Sequence, residues 1–281
     1  MLKDVVIFDY GYGNIRSVQR AFEHIGANVS ISSDYDDAIN SKCLVVPGVG
    51  AFKACMEGLT KFRGDEVILT RAQRGLPVFG ICVGHQVLFR SSDELPSKEP
   101  SNEGTERSNQ VCVASTSPKH FDDGNTSEVT PGLGLYSADV TQLHAKIVPH
   151  MGWNSVKATT KLPSVTSGRP IHSAALSERS VFEPQARGVM RAQAKPCDRT
   201  KLACASSVSR VIDGDYYFVH SYAPHQNDIS VLDADLVCET THENDTFISA
   251  ISRDCLFSTQ FHPEKSGEQG LTLIDTWLKS L

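Results

Sequence analysis

Two apolar runs, Leu76-Pro77-Val78-Phe79 and Val87-Leu88-Phe89, flank the segment Gly80-Ile81-Cys82-Val83-Gly84-His85-Gln86. A buried strand, a tight glycine turn and a helix fit this pattern. The form G-x-nucleophile-x-G between a strand and a helix is a nucleophile elbow, with glycine wherever a Cβ would block the turn. A cysteine at its apex would point its sulfur above the carboxyl end of the sheet, where the positive end of the helix favours a thiolate. A core cysteine would use the same residues, because free cysteine is among the most buried side chains. The motif alone leaves both readings open.

The flanking sequence narrows the architecture. Val5-Val6-Ile7-Phe8-Asp9 predicts a strand buried on both faces. Tyr10 to Asn14 turns into a helix with Ile15, Val18, Ala21, Phe22 and Ile25 at helical spacing and Gly26 as its stop. Gly11 and Gly13 are two thirds of a dinucleotide fingerprint, but Arg16 stands at the third glycine position. A tight βα turn is the better reading, and no cofactor is implied. Val29 to Ser32 and Leu44-Val45-Val46 are further strands. The second runs into Pro47-Gly48-Val49-Gly50-Ala51-Phe52, a backbone able to expose an N–H to a cleft. Helices are expected over about 52–61 and 65–74. This βα alternation predicts a parallel sheet with helices on both faces.

Two stretches, about 95–130 and 161–209, are polar and aperiodic, and read as insertions into one domain spanning 1–281. Between them the apolar alternation returns over 132–148 and leads into Pro149-His150-Met151-Gly152-Trp153-Asn154. After them comes a strand, Tyr216 to Tyr222, and a hairpin over 246–251 and 256–261. The second hairpin strand runs into His262-Pro263-Glu264. An amphipathic helix is expected over 271–281.

Composition excludes several classes. A net charge of -6 argues against a nucleic-acid or membrane surface as the main partner. No apolar run reaches the length of a membrane span or a signal-peptide core. Eight cysteines without a C-x-x-C pair suggest reduced thiols in the cytoplasm. Cys197 and Cys204 have the wrong spacing for zinc, so no metal is expected.

Acyl transfer by a cysteine needs a base, an orienter and an oxyanion hole. His262 ends a strand, and Glu264 two residues on can curl back to one imidazole nitrogen. The N–H of Val83 follows the nucleophile, and the peptides around Val49 offer a second donor. The elbow and Gln260-Phe261-His262-Pro263-Glu264 together resemble the class I (triad) glutamine amidotransferases. Within that family, Asp9 to Asn14, Pro47 to Phe52, Pro149 to Asn154, Tyr217 to Tyr222 and Phe261 to Gly267 look like the glutaminase subunits of imidazole glycerol phosphate synthases. The resemblance covers about 1–94, 131–160 and 210–281.

The resemblance implies a three-layer αβα, flavodoxin-like α/β fold with a mixed, mainly parallel sheet. It implies Cys82 as nucleophile, His262 as general base and acid, and Glu264 as orienter. Gly48, Val49, Gly50, Val83, Gln86, Ser221 and Tyr222 would bind glutamine or its oxyanion. Tyr12, Asn14, Met151, Trp153 and Asn154 would meet a (β/α)₈-barrel cyclase subunit, which receives the ammonia for histidine biosynthesis. The sequence departs from the family at His85, where methionine is usual, and at Ser258, where glycine is frequent. A glutaminase of vitamin B6 synthesis, a non-catalytic scaffold and a stand-alone γ-glutamyl hydrolase share parts of the pattern. The Pro149 to Asn154 and Pro47 to Phe52 segments argue against the first, and the intact Cys82, His262 and Glu264 against the scaffold.

Overall fold

The computed structural model describes residues 3–94, 129–159 and 200–281. In chain order its strands are Asp4–Phe8 (β1), Asn28–Ser32 (β2), Cys43–Gly48 (β3), Val78–Cys82 (β4), Phe89–Ser92 (β5), Thr130–Pro131 (β6), Tyr136–Gln142 (β7), His150–Ala158 (β8), Gly214–His220 (β9), Tyr222–His225 (β10), Leu236–His242 (β11), Asp245–Arg253 (β12) and Leu256–Thr259 (β13). The helices are Ile15–His24 (α1), Tyr35–Asn40 (α2), Phe52–Lys61 (α3), Gly64–Arg74 (α4), Val83–Gln86 (α5), Thr200–Val208 (α6) and Gly267–Ser280 (α7).

Nine strands form one sheet in the order β2-β1-β3-β4-β13-β12-β11-β8-β9. The first five are parallel throughout, and from β13 to β9 every pairing is antiparallel. The sheet is therefore mixed, with its parallel ladder confined to one half. The parallel half has the doubly wound order in which ligands bind beyond the carboxyl ends of the strands. A second sheet, β10-β7-β5-β6, packs against the antiparallel half through β10 and β12.

Strand register explains the two helical layers. Ile7, Val45, Phe79 and Phe257 are successive cross-strand partners, so they share one face. Phe22 of α1 and Trp277 of α7 cover that face, with the Phe79 and Trp277 rings 5.0 Å apart. Phe8 points to the other face, where Gly64 lets α4 approach so closely that a Cβ would strike its ring. These aromatic rings are fully buried.

Several elements differ from expectation. α2 was not foreseen. It is a short polar segment nucleated by Asp34, whose carboxylate accepts the N–H groups of Asp36 and Asp37. The helix after the elbow is a single turn before the chain enters β5. The strand over 216–222 breaks at Ser221, because β9 ends in the large sheet and β10 starts in the small one. Most of the two polar stretches lies outside the described residues. The end of the second is not peripheral: α6 packs on α7 and buries Cys204, Ala205 and Val208 in the core. Its small residues hid it from a search for bulky apolar periodicity.

A buried cation pins the layer under the elbow. Arg71 of α4 is fully buried, and burial lowers its pKa to about 10. Its guanidinium donates to the carbonyls of Ala38, Ile39 and Ser41 at the end of α2, and to Pro77 O at 2.7 Å, just before β4. Replacing it leaves carbonyls unpaired under two strands that lead to the site. Arg71→Leu should cost about 2–4 kcal/mol in urea unfolding. An unchanged midpoint would show that the carbonyls find other partners.

Candidate active site

Three adjacent parallel strands, β3, β4 and β13, end at one edge of the sheet. Gly48 is the cross-strand partner of Cys82, and Thr259 that of Ile81. Cys82 has φ +57° and ψ −112°, a conformation that costs a non-glycine residue about 1–3 kcal/mol. Backbone contacts impose it. A Cβ on Gly84 would collide with the carbonyl oxygen of Val46, and one on Gly80 with that of Gly84. The chain must therefore reverse at Cys82, which becomes the residue preceding α5.

His262 follows β13 in extended conformation. Its N–H donates to Tyr217 O at 2.9 Å, and its carbonyl accepts from Ser266 Oγ at 2.6 Å. A 3₁₀ turn over Pro263–Lys265 brings Glu264 back, so that Oε1 lies 2.8 Å from His262 Nδ1. Both side chains are almost wholly buried. His262 Nε2 is buried and makes no hydrogen bond of normal geometry. Burial alone would lower the imidazole pKa. The adjacent Cys82 sulfur, and then Glu264, outweigh it and hold His262 well above the ordinary histidine range. The ring is thus positioned by a carboxylate on one nitrogen, and a cysteine acts on its charge. Such a trio can perform nucleophilic acyl transfer.

The family model for class-I glutamine amidotransferases matches residues 6–280. The chain is 37% identical to "Imidazole glycerol phosphate synthase subunit HisH" of Corynebacterium efficiens, over 100% of both chains. It is 36% identical to the protein of the same name from Mycobacterium tuberculosis, over 99% of this chain and 98% of that one. The chain belongs to the class I glutamine amidotransferase family. Its fold is similar to a glutamine amidotransferase crystal structure at TM-score 0.55 and 12% identity, covering 98% of this chain and 97% of that one. It is also similar to the structure of PurLQS from Thermotoga maritima at TM-score 0.54 and 15% identity, over 99% of both chains.

In this amidotransferase the expected substrate residues differ in how they are placed. Gln86 Nε2 donates to Tyr222 O at 2.8 Å and to Gln260 Oε1 at 3.0 Å. Gln260 Nε2 in turn lies 3.9 Å from Cys82 Sγ. Gln260 was not singled out from the sequence. Its place in the Gln260-Phe261-His262-Pro263-Glu264 segment, two residues before His262, is the local signal for it. Gly48 and Val83 are buried against the elbow, while Val49 and Gly50 are exposed, Gly50 with φ +94°. Ser221 sits at the sheet switch, where its carbonyl accepts from Leu143 N. Of the expected interface residues, Tyr12, Met151 and Trp153 expose 36%, 66% and 59% of their surface. Asn14 precedes α1 without capping it. Asn154 is half-buried and donates to Thr241 O at 3.0 Å.

The two departures from the family pattern touch each other. His85 is fully buried, with Nδ1 2.8 Å from Ser258 Oγ and Nε2 3.3 Å from Ile248 O. A carbonyl can only accept, so Nε2 carries the proton and Nδ1 accepts from the Ser258 hydroxyl. Burial lowers the pKa of this imidazole to about 3, with a small opposing contribution from the Ile248 carbonyl. His85 therefore stays neutral and ties the elbow turn to β13 and β12, and it meets no partner surface.

His85→Met alone should cost about 1–3 kcal/mol by stranding the Ser258 hydroxyl. His85→Met with Ser258→Gly should recover part of that loss in a double-mutant cycle. Strict additivity of the two changes would contradict the pairing.

Proposed function

We propose that this chain is the glutaminase subunit of an imidazole glycerol phosphate synthase, with Cys82, His262 and Glu264 as its triad. The observation that carries the reading is the strained Cys82 apex beside a buried imidazole held by Glu264 at 2.8 Å. Strain at an element junction is characteristic of functional positions. The names of the relatives supply the reaction setting.

In this reading Cys82 Sγ attacks the side-chain carbonyl carbon of glutamine. The tetrahedral oxyanion is received by the N–H of Val83 and by a peptide N–H of the 48–50 segment. Each donor is worth about 3 kcal/mol where such donors have been removed from other enzymes. His262 passes its Nε2 proton to the departing nitrogen, and ammonia leaves. Water, activated by the now neutral His262, hydrolyses the thioester and releases glutamate. Glu264 fixes the ring and stabilises its charged form without taking the proton. Gln86, with Ser221 and Tyr222, holds the amino-acid end of the substrate.

Gly50 bears on regulation. It has φ +94° and nothing within 4 Å of where its Cβ would lie, while the Val49 carbonyl accepts from Cys55 Sγ at 3.4 Å, so turning the Val49–Gly50 peptide would break that bond. A donor that must swing in would keep the glutaminase slow until a partner fixes the segment. The exposed Tyr12, Val49, Met151 and Trp153 suit such a partner, because aromatic and methionine side chains dominate protein interfaces. A barrel cyclase consuming the ammonia is the partner this reading names, and the cytoplasm its location. Among the described residues no helix is long and apolar enough to cross a membrane.

The test is glutamate release by the chain alone, with the cyclase, and with the cyclase plus its ribonucleotide ligand. Stimulation is expected only with the partner, and Cys82→Ala or His262→Asn should reduce the stimulated rate by about ten-thousandfold or more. Full activity without a partner would favour a stand-alone hydrolase. Binding of the cyclase without hydrolysis would favour a scaffold.

A further inference from the structure

Away from Cys82, side chains from both sheets converge at one further point. His225 ends β10, Asp245 begins β12, and His144 lies in the turn that follows β7. One ligand atom from each falls within 4.8 Å of the others. His225 Nε2 is 3.1 Å from Asp245 Oδ2, and His144 Nδ1 is 3.9 Å from the same oxygen. We propose that His144, His225 and Asp245 form a binding site for a divalent zinc-class cation, with water as the fourth ligand.

Donor chemistry points to this class. Two imidazoles and one carboxylate suit a borderline dication such as Zn²⁺ and would hold Ca²⁺ or Mg²⁺ poorly. With metal–ligand bonds of about 2.0–2.1 Å, tetrahedral ligand atoms lie about 3.3 Å apart. The His225–Asp245 pair already has that spacing. Only the His144 ring must move closer, and it is free to swing, being 81% exposed. The other two ligands are held in place, with side-chain exposures of 19% and 9%.

The surroundings supply the outer layer that metal-binding histidines use. Thr141 Oγ1 lies 2.7 Å from His225 Nδ1. A hydroxyl can donate or accept, so Thr141 serves either tautomer of the ring. With Nε2 on a cation, Nδ1 would carry the proton and donate it to Thr141. Asp245 Oδ2 also accepts the backbone N–H of His144 at 2.7 Å, which sets the carboxylate before any ion arrives. Asp93 adds a further negative charge nearby. Burial raises its pKa, and backbone N–H groups oppose this.

Binding there would fasten β10 of the small sheet to β12 of the large one. At its other end β10 begins with Tyr222, whose carbonyl holds Gln86. The cation would thus act as a staple beside the substrate residues, with no part in the chemistry at Cys82.

The test uses reduced, full-length protein stripped with chelator and titrated with Co²⁺. One equivalent should give the visible bands of a tetrahedral nitrogen and oxygen site, without the sulfur charge-transfer band that any of the eight cysteines would produce. Zn²⁺ should displace it and raise the unfolding temperature. His144→Ala keeps the backbone bond to Asp245, so it should fold normally and bind Co²⁺ at least about tenfold more weakly. Thr141→Val, which leaves all three ligands in place, should also weaken binding. Absence of binding, equal binding by His144→Ala and by His225→Gln, or a spectrum dominated by thiolate ligation would each overturn the proposal.

Discussion

Everything at the candidate site depends on one backbone contact, the close approach of Gly84 to the carbonyl of Val46. It presses the turn after β4 onto the end of β3. Gly80 and Gly84 admit that contact, and the chain can satisfy it only by reversing at Cys82 with a positive φ. The strain of about 1–3 kcal/mol is tolerable because β4 is hydrogen-bonded on both sides and buried along its length. The same contact brings the Pro47 to Gly50 segment beside the cysteine. Cys82 and the 47–50 segment, the proposed nucleophile and oxyanion side, are therefore positioned by one piece of geometry, from neighbouring strands.

His262, the proposed base, arrives differently. It follows β13, which comes late in the chain yet pairs in parallel with β4 and ends at the same edge. Its orientation comes from local chemistry: Pro263 ends the extended stretch, the 3₁₀ turn returns Glu264, and Ser266 fastens the backbone carbonyl of His262. Sheet order supplies the meeting and short-range hydrogen bonds supply the aim. A third layer of side chains, Gln86, Gln260 and the His85–Ser258 pair, then joins the elbow to β13 and β12. The His85–Ser258 pair replaces an apolar contact with a polar one and meets its hydrogen-bonding needs internally.

Much of this was legible in the residues. The central parallel strands were visible as short apolar runs bounded by glycine turns and alternating with helical periodicity, and α3 falls over 52–61 as read. The elbow and the H-P-E segment could be paired because each has a shape that chemistry demands. What could not be read depended on partners distant in sequence. Ser258 and His85 look like two unrelated substitutions until the fold puts them 2.8 Å apart. The break at Ser221 follows from two sheets competing for one strand, which no local pattern encodes. α6 escaped because Ala205, Cys204 and the serines around them provide little apolar bulk, although α7 and β12 bury them.

The proposed function requires that Cys82, and no other thiol, be the nucleophile activated by His262. The most direct measurement is peptide mapping by mass spectrometry after treating the chain, with its partner, with a diazoketone analogue of glutamine that alkylates an attacking sulfur. A single adduct is expected on the peptide containing Cys82, suppressed by excess glutamine and greatly slowed in His262→Asn. Labelling of Cys55 or another buried cysteine in preference to Cys82, or labelling indifferent to His262, would contradict it.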